Sequence, residues 1–138
     1  MKGFKSNIEE DTIGNSDFRK VVYTSKHLQL VLMRLEPGEE IGEEVHQGND
    51  QFFRFETGNG KCIIDGNEYE VRDGDAVIVP SGAKHNIINT SLKDALKIYT
   101  IYAPPHHQDG IVRKTKKDAE ERATEFDGET TESGSVGV

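Results

Sequence analysis

Residues 38–58 read GEEIGEEVHQGNDQFFRFETG, and residues 74–89 read GDAVIVPSGAKHNIIN. Both segments combine histidine with glycine-containing turns and short runs of β-branched or aromatic residues. Glycine permits the positive φ angles that tight turns require, whereas β-branched and aromatic residues favour strands. The two segments therefore predict short strands joined by turns, with polar side chains close to the turns.

Strand-like runs of this kind recur from residue 18 to residue 102, separated by turn residues. Asp65-Gly66 lies between two such runs and is a strong hairpin signal, because glycine accepts the φ of a primed turn. Short strands at nearly even spacing predict an all-β sandwich or barrel. The predicted strands are residues 18–24, 27–35, 43–46, 51–57, 60–65, 68–72, 76–79, 84–89 and 96–102.

Composition divides the 138-residue chain into three parts. Residues 1–17 are polar and mixed, which predicts an irregular N-terminal lead-in, and residues 18–112 form the predicted β barrel. Residues 113–138 carry five basic and seven acidic side chains and almost no large apolar ones. This composition predicts a charged tail that is largely disordered, with a short frayed helix after Thr115 as the alternative.

Charge and hydropathy exclude several classes of function. The net charge is −8 and no basic stripe is present, so we expect no nucleic-acid partner. No segment approaches the ~20 apolar residues that a membrane-spanning helix needs, and the N-terminus does not resemble a secretory signal. The single cysteine, Cys62, excludes an internal disulfide and fits a reducing compartment. We therefore expect a soluble, cytoplasmic protein.

Strand parity predicts a cluster of polar side chains inside the barrel. Glu44 and His46 are two residues apart and point to one face of a strand. Gln51 shares its face with the aromatic residues that follow it, and His85 shares its face with Ile87. Inward polar groups without partners cost free energy, and a divalent metal ion would satisfy them together. The predicted metal ligands are Glu44, His46, Gln51 and His85.

The two segments resemble the paired motifs of the cupin superfamily, and the resemblance extends over about residues 18–105. The second motif, G-x5-P-x-G-x2-H-x3-N, matches at Gly74, Pro80, Gly82, His85 and Asn89. The first motif, G-x5-H-x-H-x3,4-E-x6-G, matches at Gly38, His46 and Gly58. Glu44 stands where the family usually has its first histidine, and Gln51 stands where it usually has glutamate.

This resemblance implies a double-stranded β-helix, or jelly-roll, barrel with one divalent metal ion inside, which would be Mn, Fe, Zn or Ni. The two departures keep a single anionic ligand but replace one nitrogen donor by oxygen, which favours harder ions. The alternative is a metal-free barrel in which Glu44, His46 and His85 form a hydrogen-bond network. The family also implies pairing of barrels into a homodimer.

The chain is most similar to small single-domain cupins described as mannose-6-phosphate-isomerase-like. A metal acting as a Lewis acid predicts isomerisation or tautomerisation of a small polar, sugar-like or carbonyl substrate. Glu44, or the histidine His106 at the barrel rim, would transfer the proton. A non-catalytic barrel that binds a small ligand and a metal-dependent dioxygenase are the alternatives. No cluster of lysine and arginine indicates a phosphosugar site.

Overall fold

Two antiparallel sheets form the barrel in this computed structural model, which describes residues 1–133. The larger sheet has the strand order β10-β1-β2-β9-β4-β7, and the smaller has the order β3-β8-β5-β6. The strands are β1 Arg19–Thr24, β2 Gln29–Leu35, β3 Glu44–Val45, β4 Asp50–Thr57, β5 Asn59–Ile64, β6 Asn67–Arg72, β7 Ala76–Val79, β8 Lys84–Asn89, β9 Leu96–Ala103 and β10 Val112–Arg113. This confirms the all-β jelly-roll prediction, including all nine predicted strands.

Strand β10 was not predicted. It pairs with β1 in the register Arg19↔Arg113 and lies across residue 113, where the charged tail was expected to begin. Two residues are too short a run to show the period-2 pattern on which strand prediction depends. The barrel sheet therefore extends into the segment that composition alone assigned to the tail.

The turns follow the chemistry expected from their residues. Asp65 and Gly66 join β5 to β6 with φ angles of 46° and 83°, the signs that a type I′ hairpin requires. Gly58 has a φ of 102°, and a Cβ placed there would lie 2.6 Å from the Ala95 carbonyl oxygen. Both the φ angle and this close approach explain why glycine is needed at the end of the first motif.

The hydrophobic core lies between the two sheets and consists of alternate residues of the long strands. Phe53 and Phe55 point inward as predicted and are 1% and 0% exposed. Burying one such side chain stabilises the fold by about 1.5–3 kcal/mol. The other large, fully buried apolar residues of the core are Met33, Leu35, Ile87, Leu96, Ile98 and Val31.

Asn89 at the end of β8 holds two connections together. Its amide nitrogen donates to the carbonyl oxygens of Leu35, Glu36 and Asp94 at 2.9–3.1 Å, and its amide oxygen accepts from Ser91 N at 3.0 Å. The side chain is 1% exposed. Buried carbonyl groups between strands thereby gain partners that no ladder supplies, which explains the asparagine that closes the second motif.

The expectation of an irregular N-terminal lead-in is wrong for residues 8–14. Helix α1, Ile8–Gly14, is capped by the Asn7 side chain, which accepts from Glu10 N at 3.0 Å. The helix packs on the outer faces of β2, β4 and β9, and Lys97 Nζ donates to the carbonyl oxygens of Ile13 and Asn15. Seven residues with two β-branched isoleucines have weak helix propensity, so tertiary packing rather than local sequence forms this helix.

The C-terminal segment differs from the expected disorder as far as residue 133. Helix α2, Lys116–Glu121, begins at the predicted cap Thr115, whose hydroxyl accepts from Asp118 N at 3.0 Å. The chain then returns over the barrel, where Phe126 N donates to the His106 carbonyl and Thr131 N donates to the Thr24 carbonyl. These backbone hydrogen bonds replace the apolar anchors that composition showed to be missing. The prediction for residues 134–138 lies outside the described residues.

Within residues 1–133, neither helix has the length and apolar character that crossing a lipid bilayer requires.

Cys62 on β5 is expected to resist thiol reagents while the protein is folded. The residue is 0% exposed, and burial raises the pKa of its thiol to about 11. At pH 8 only about one thiol in a thousand would be ionised, even before access is considered. Titration with a chromogenic disulfide should therefore find almost no reactive thiol in native protein and one per chain in strong denaturant. Rapid labelling of the native protein would contradict this burial.

Candidate metal centre

The four predicted ligands lie on or directly after strands β3, β8 and β4, which belong to two facing sheets. Glu44 on β3 stands directly opposite His85 on β8 in the strand register, and His46 follows β3 immediately. Gln51 lies on β4, in the facing sheet. Because β3 and β4 are joined by a short polar turn, residues of both sheets meet at this end of the barrel.

Three of these side chains form a compact group. The available ligand atoms of Glu44, His46 and His85 all lie within 4.8 Å of one another. The two imidazole ring centroids are 5.2 Å apart, and His46 Nε2 lies 2.7 Å from Glu44 Oε2. His46 and His85 are buried, and Glu44 is partly exposed. The group could therefore hold a metal ion with one side open.

Two buried atoms of the site have no hydrogen-bond partner among the described residues. His46 Nε2 makes no hydrogen bond of acceptable geometry, even though the Glu44 oxygen is close to it. Gln51 Nε2 donates to Thr100 Oγ1 at 3.0 Å, whereas Gln51 Oε1 has no donor. Unpaired buried polar atoms are rare and costly, and the Gln51 oxygen offers a lone pair beside the Glu44 carboxylate and the two imidazoles. The donor set therefore fits a divalent metal ion.

Electrostatics keep the ligands in the protonation states that metal binding needs. Burial raises the pKa of the Glu44 carboxyl, but the adjacent His46 and the positive charge of Arg19 outweigh this effect and lower the pKa overall. Burial lowers the pKa of His85. The Nδ1 atom of His85 lies 3.3 Å from the Ala83 carbonyl oxygen, which favours the tautomer with its proton on Nδ1. A carboxylate and a neutral imidazole with a free Nε2 result.

His106 and His107 follow β9 and have different surroundings, although both were expected at the barrel rim. His106 is partly exposed, and its ring centroid lies 4.4 Å from that of His46 and 5.2 Å from that of Tyr102. His107 is 6% exposed and its Nε2 lies 3.2 Å from the Tyr102 hydroxyl. Burial, aided by the charge of Arg19, lowers the pKa of His107 to about 2. His106 thus borders the candidate metal site, whereas His107 is buried and contacts the Tyr102 hydroxyl.

Gln29 on β2 fixes the segment that carries these histidines. Its amide oxygen accepts from His106 N at 3.1 Å and His107 N at 2.9 Å. Its amide nitrogen donates to the His107 carbonyl at 2.7 Å and to Thr24 Oγ1 at 2.9 Å. The side chain is 0% exposed, so all four hydrogen-bonding positions of a buried amide are used. The position of His106 beside the metal ligands therefore depends on a residue of another strand.

A cavity of about 300 Å³ opens beside the site. Glu44 and His106 line it on the barrel side, and Arg19 and Arg113 line it from β1 and β10. Helix α2 and the residues after it form the opposite wall. The candidate metal ligands therefore border a space of the size of a small organic molecule.

The sequence predictions missed three residues of this region: Arg19, Gln29 and Tyr102. Arg19 shares strand parity with the buried Val21, a signal that places its side chain on the inner face. Tyr102 lies on the inner parity of β9, a choice that the sequence left open, and burial raises its pKa above the usual range. Nothing local marks Gln29, because its partners are distant in sequence.

Comparison with known proteins agrees with this geometry. A family model described as a cupin domain matches residues 31–102, which run from within β2 to within β9 and include all four predicted ligands. The chain is a cupin. As a cupin, it retains the second motif in full and carries the two departures, Glu44 on β3 and Gln51 on β4.

Several relatives of this cupin are known by sequence. It is 44% identical over 124 residues to the Bacillus subtilis protein YrkC and 42% identical over 109 residues to the Acanthamoeba polyphaga mimivirus protein L612. The alignments cover 86% and 77% of this chain and 66% and 68% of those proteins, so the chain spans about two thirds of their length. An oxalate-binding protein from Thermotoga maritima is 27% identical over 94 residues, which are 68% of this chain and 74% of that protein.

Solved structures share the fold. The crystal structure of BH2720 from Bacillus halodurans has a TM-score of 0.85 at 40% identity and covers 88% of this chain and 96% of that one. The structure of KdgF from Halomonas sp. has a TM-score of 0.62 at 21% identity, covering 75% and 94%, and shows a likeness of fold alone.

Proposed function

We propose that this cupin binds one divalent metal ion through Glu44, His46, Gln51 and His85. The observation that carries the proposal is the convergence of the Glu44, His46 and His85 ligand atoms within 4.8 Å of one another, together with the buried Gln51 Oε1, which has no donor among the described residues. A network of hydrogen bonds would pair His46 Nε2 with the Glu44 carboxylate, 2.7 Å away, but would leave Gln51 Oε1 without a donor. One carboxylate against a divalent ion leaves net positive charge at the site, which suits oxygen-rich polar ligands.

With the metal ion bound, the protein would act on a small polar substrate that has a carbonyl group, by isomerisation or tautomerisation. The metal, when bound, supplies Lewis acidity that makes the hydrogen next to a carbonyl more acidic. The cavity of about 300 Å³ beside Glu44 and His106 suits a sugar-like or similarly small molecule. An enzyme of this kind also needs a group that can accept and return a proton at the cavity wall.

His106 and Glu44 are the proposed proton-transfer residues. Burial and the neighbouring His46 lower the pKa of His106, so its ring is neutral at pH 7 and able to accept a proton. The ring lines the cavity, and Gln29 fixes the backbone that carries it. Glu44 also lines the cavity and is ionised. The two groups border one space, as removal and return of a proton would require.

Hydrogen exchange on simple carbonyl compounds tests this function directly. In D₂O with Mn²⁺, the protein should speed incorporation of deuterium at the carbon-bound positions of dihydroxyacetone or pyruvate, measured by mass spectrometry. His106→Gln and Glu44→Gln should each lower the rate by roughly 10²-fold or more, because a general acid–base group contributes 10²–10⁴-fold. His27→Gln is the matched control, since His27 is exposed and does not line the cavity. Exchange no faster than with Mn²⁺ alone, for both compounds, would contradict the proposed activity.

A further inference from the structure

The side chain of Arg19 lines the cavity beside the candidate metal centre. Its Nε atom is buried and has no hydrogen-bond partner among the described residues. Arg19 Cζ also lies 5.3 Å from the centroid of the Phe18 ring. Within residues 1–133 no carboxylate forms an ion pair with it, although its charge affects Glu44. A partly buried cation without a counter-ion is unfavourable, so this arrangement calls for an anion.

A second arginine stands directly across from the first. Arg113 on β10 pairs with Arg19 in the strand register and lines the same cavity. Arg113 as a residue is 6% exposed, and its guanidinium donates to the carbonyl oxygens of Arg122 and Val112 at 2.7–3.2 Å. Like charges directly opposite on neighbouring strands are destabilising. An anion held in the cavity would offset this repulsion. The guanidinium donors of Arg113 are already used by backbone carbonyl oxygens, whereas Arg19 makes no such hydrogen bond among the described residues.

The other charges around the cavity limit the kind of anion. Lys116 lies 4.0 Å from Glu120, and Arg122 lies 3.3 Å from Asp118, so these pairs are locally compensated. Glu125 on the far wall is exposed, and Glu44 is a negative charge beside the space. A phosphate dianion would be repelled by both carboxylates. A carboxylate carries one charge and a planar pair of oxygens that matches the guanidinium donors.

We propose that Arg19 binds the carboxylate of the substrate, so that the substrate is a small acid with a carbonyl group. This inference rests on the proposed function and narrows it. In this arrangement the acid end lies against β1, and the carbonyl end extends toward Glu44 and His106 on the other wall of the same cavity. Arg19 therefore sets both which substrates bind and which end of the molecule reaches the metal ligands.

Pyruvate and pyruvamide separate the effect of charge from that of shape. The two compounds are nearly equal in size and share the 2-oxo group, but only pyruvate is an anion. We expect wild-type protein to bind pyruvate roughly tenfold more tightly or better, measured by calorimetry or NMR titration, because hydrogen bonds between charged groups are strong. Titrations with and without Mn²⁺ show whether the preference is due to the metal, since the charge of Arg19 does not depend on it.

The variants Arg19→Gln and Arg19→Lys assign the preference to one side chain. Arg19→Gln should reduce the ratio of the two affinities to about one, and Arg19→Lys should give an intermediate ratio, because lysine keeps the charge without the planar donors. Arg72→Gln is the matched control, as Arg72 is an exposed arginine on β6, away from this cavity. Circular dichroism and the metal content of each variant verify that the fold and the metal ligands are intact.

Equal binding of pyruvate and pyruvamide to wild-type protein would overturn the proposal. An unchanged ratio of the two affinities in folded Arg19→Gln would overturn it as well. Tighter binding of inorganic phosphate than of pyruvate would overturn the assignment to a carboxylate. Failure of the proposed function looks different: metal would be absent, while the preference for pyruvate and its loss in Arg19→Gln would persist.

Discussion

Replacement of Gln29 by leucine is expected to lower the free energy of unfolding by about 3–5 kcal/mol. The leucine side chain is similar in size, so the change removes hydrogen bonds with little change in packing. Two backbone N–H groups, of His106 and His107, and the His107 carbonyl would lose their partners while still buried. Each unsatisfied buried group costs about 1–3 kcal/mol. Urea unfolding followed by circular dichroism measures the difference.

Gln108→Leu is the control for this substitution. Gln108 follows β9, next to His107 in sequence, and its side chain donates an exposed hydrogen bond to Asp127 at 3.3 Å. Its replacement should change stability by less than about 1 kcal/mol. If Gln29→Leu were as stable as Gln108→Leu, the three hydrogen bonds between Gln29 and the histidine segment would not hold that segment in place. Reduced exchange activity in Gln29→Leu at temperatures where it stays folded would connect this residue to the position of His106.

The barrel could be predicted well because its signals are local. The Asp65-Gly66 turn, the inward aromatic residues Phe53 and Phe55, and the alternating strands each depend on a few neighbouring residues. Helix α1 and strand β10 could not be predicted in this way. Helix α1 depends on packing against β2, β4 and β9, and β10 depends on pairing with β1, contacts that bring together residues distant in sequence.

The same distinction between local signals and long-range contacts applies to the residues of the candidate site. Glu44, His46 and His85 could be found because motif spacing fixes their places on strands, and the structure brings their ligand atoms together. The hydrogen bonds of Gln29 and the position of Arg19 opposite Arg113 depend on strand register between distant segments. Composition showed no cluster of basic residues, since the two arginines are 94 positions apart in the chain and meet only across the β1–β10 ladder.

Substitution of His46 by alanine is expected to weaken metal binding by roughly 10²-fold or more. His46 lies centrally in the site, 2.7 Å from Glu44 and with its ring 5.2 Å from that of His85. Losing even a supporting partner of a metal ligand costs 10–100-fold in affinity, so losing a ligand should cost at least as much. His27→Ala, an exposed histidine on the surface, should bind metal as wild-type protein does. Competition with a chromogenic chelator gives the affinities of both variants.

Elemental analysis of protein purified without chelators tests the metal site most directly. We expect about one transition-metal ion per chain in wild-type protein and in His27→Ala, either as purified or after incubation with Mn, Fe, Zn or Ni salts and gel filtration. His46→Ala, treated in the same way, should retain less than about a tenth of this amount. Wild-type protein that stays without metal under all these conditions, or His46→Ala that holds as much as wild-type protein, would contradict the account.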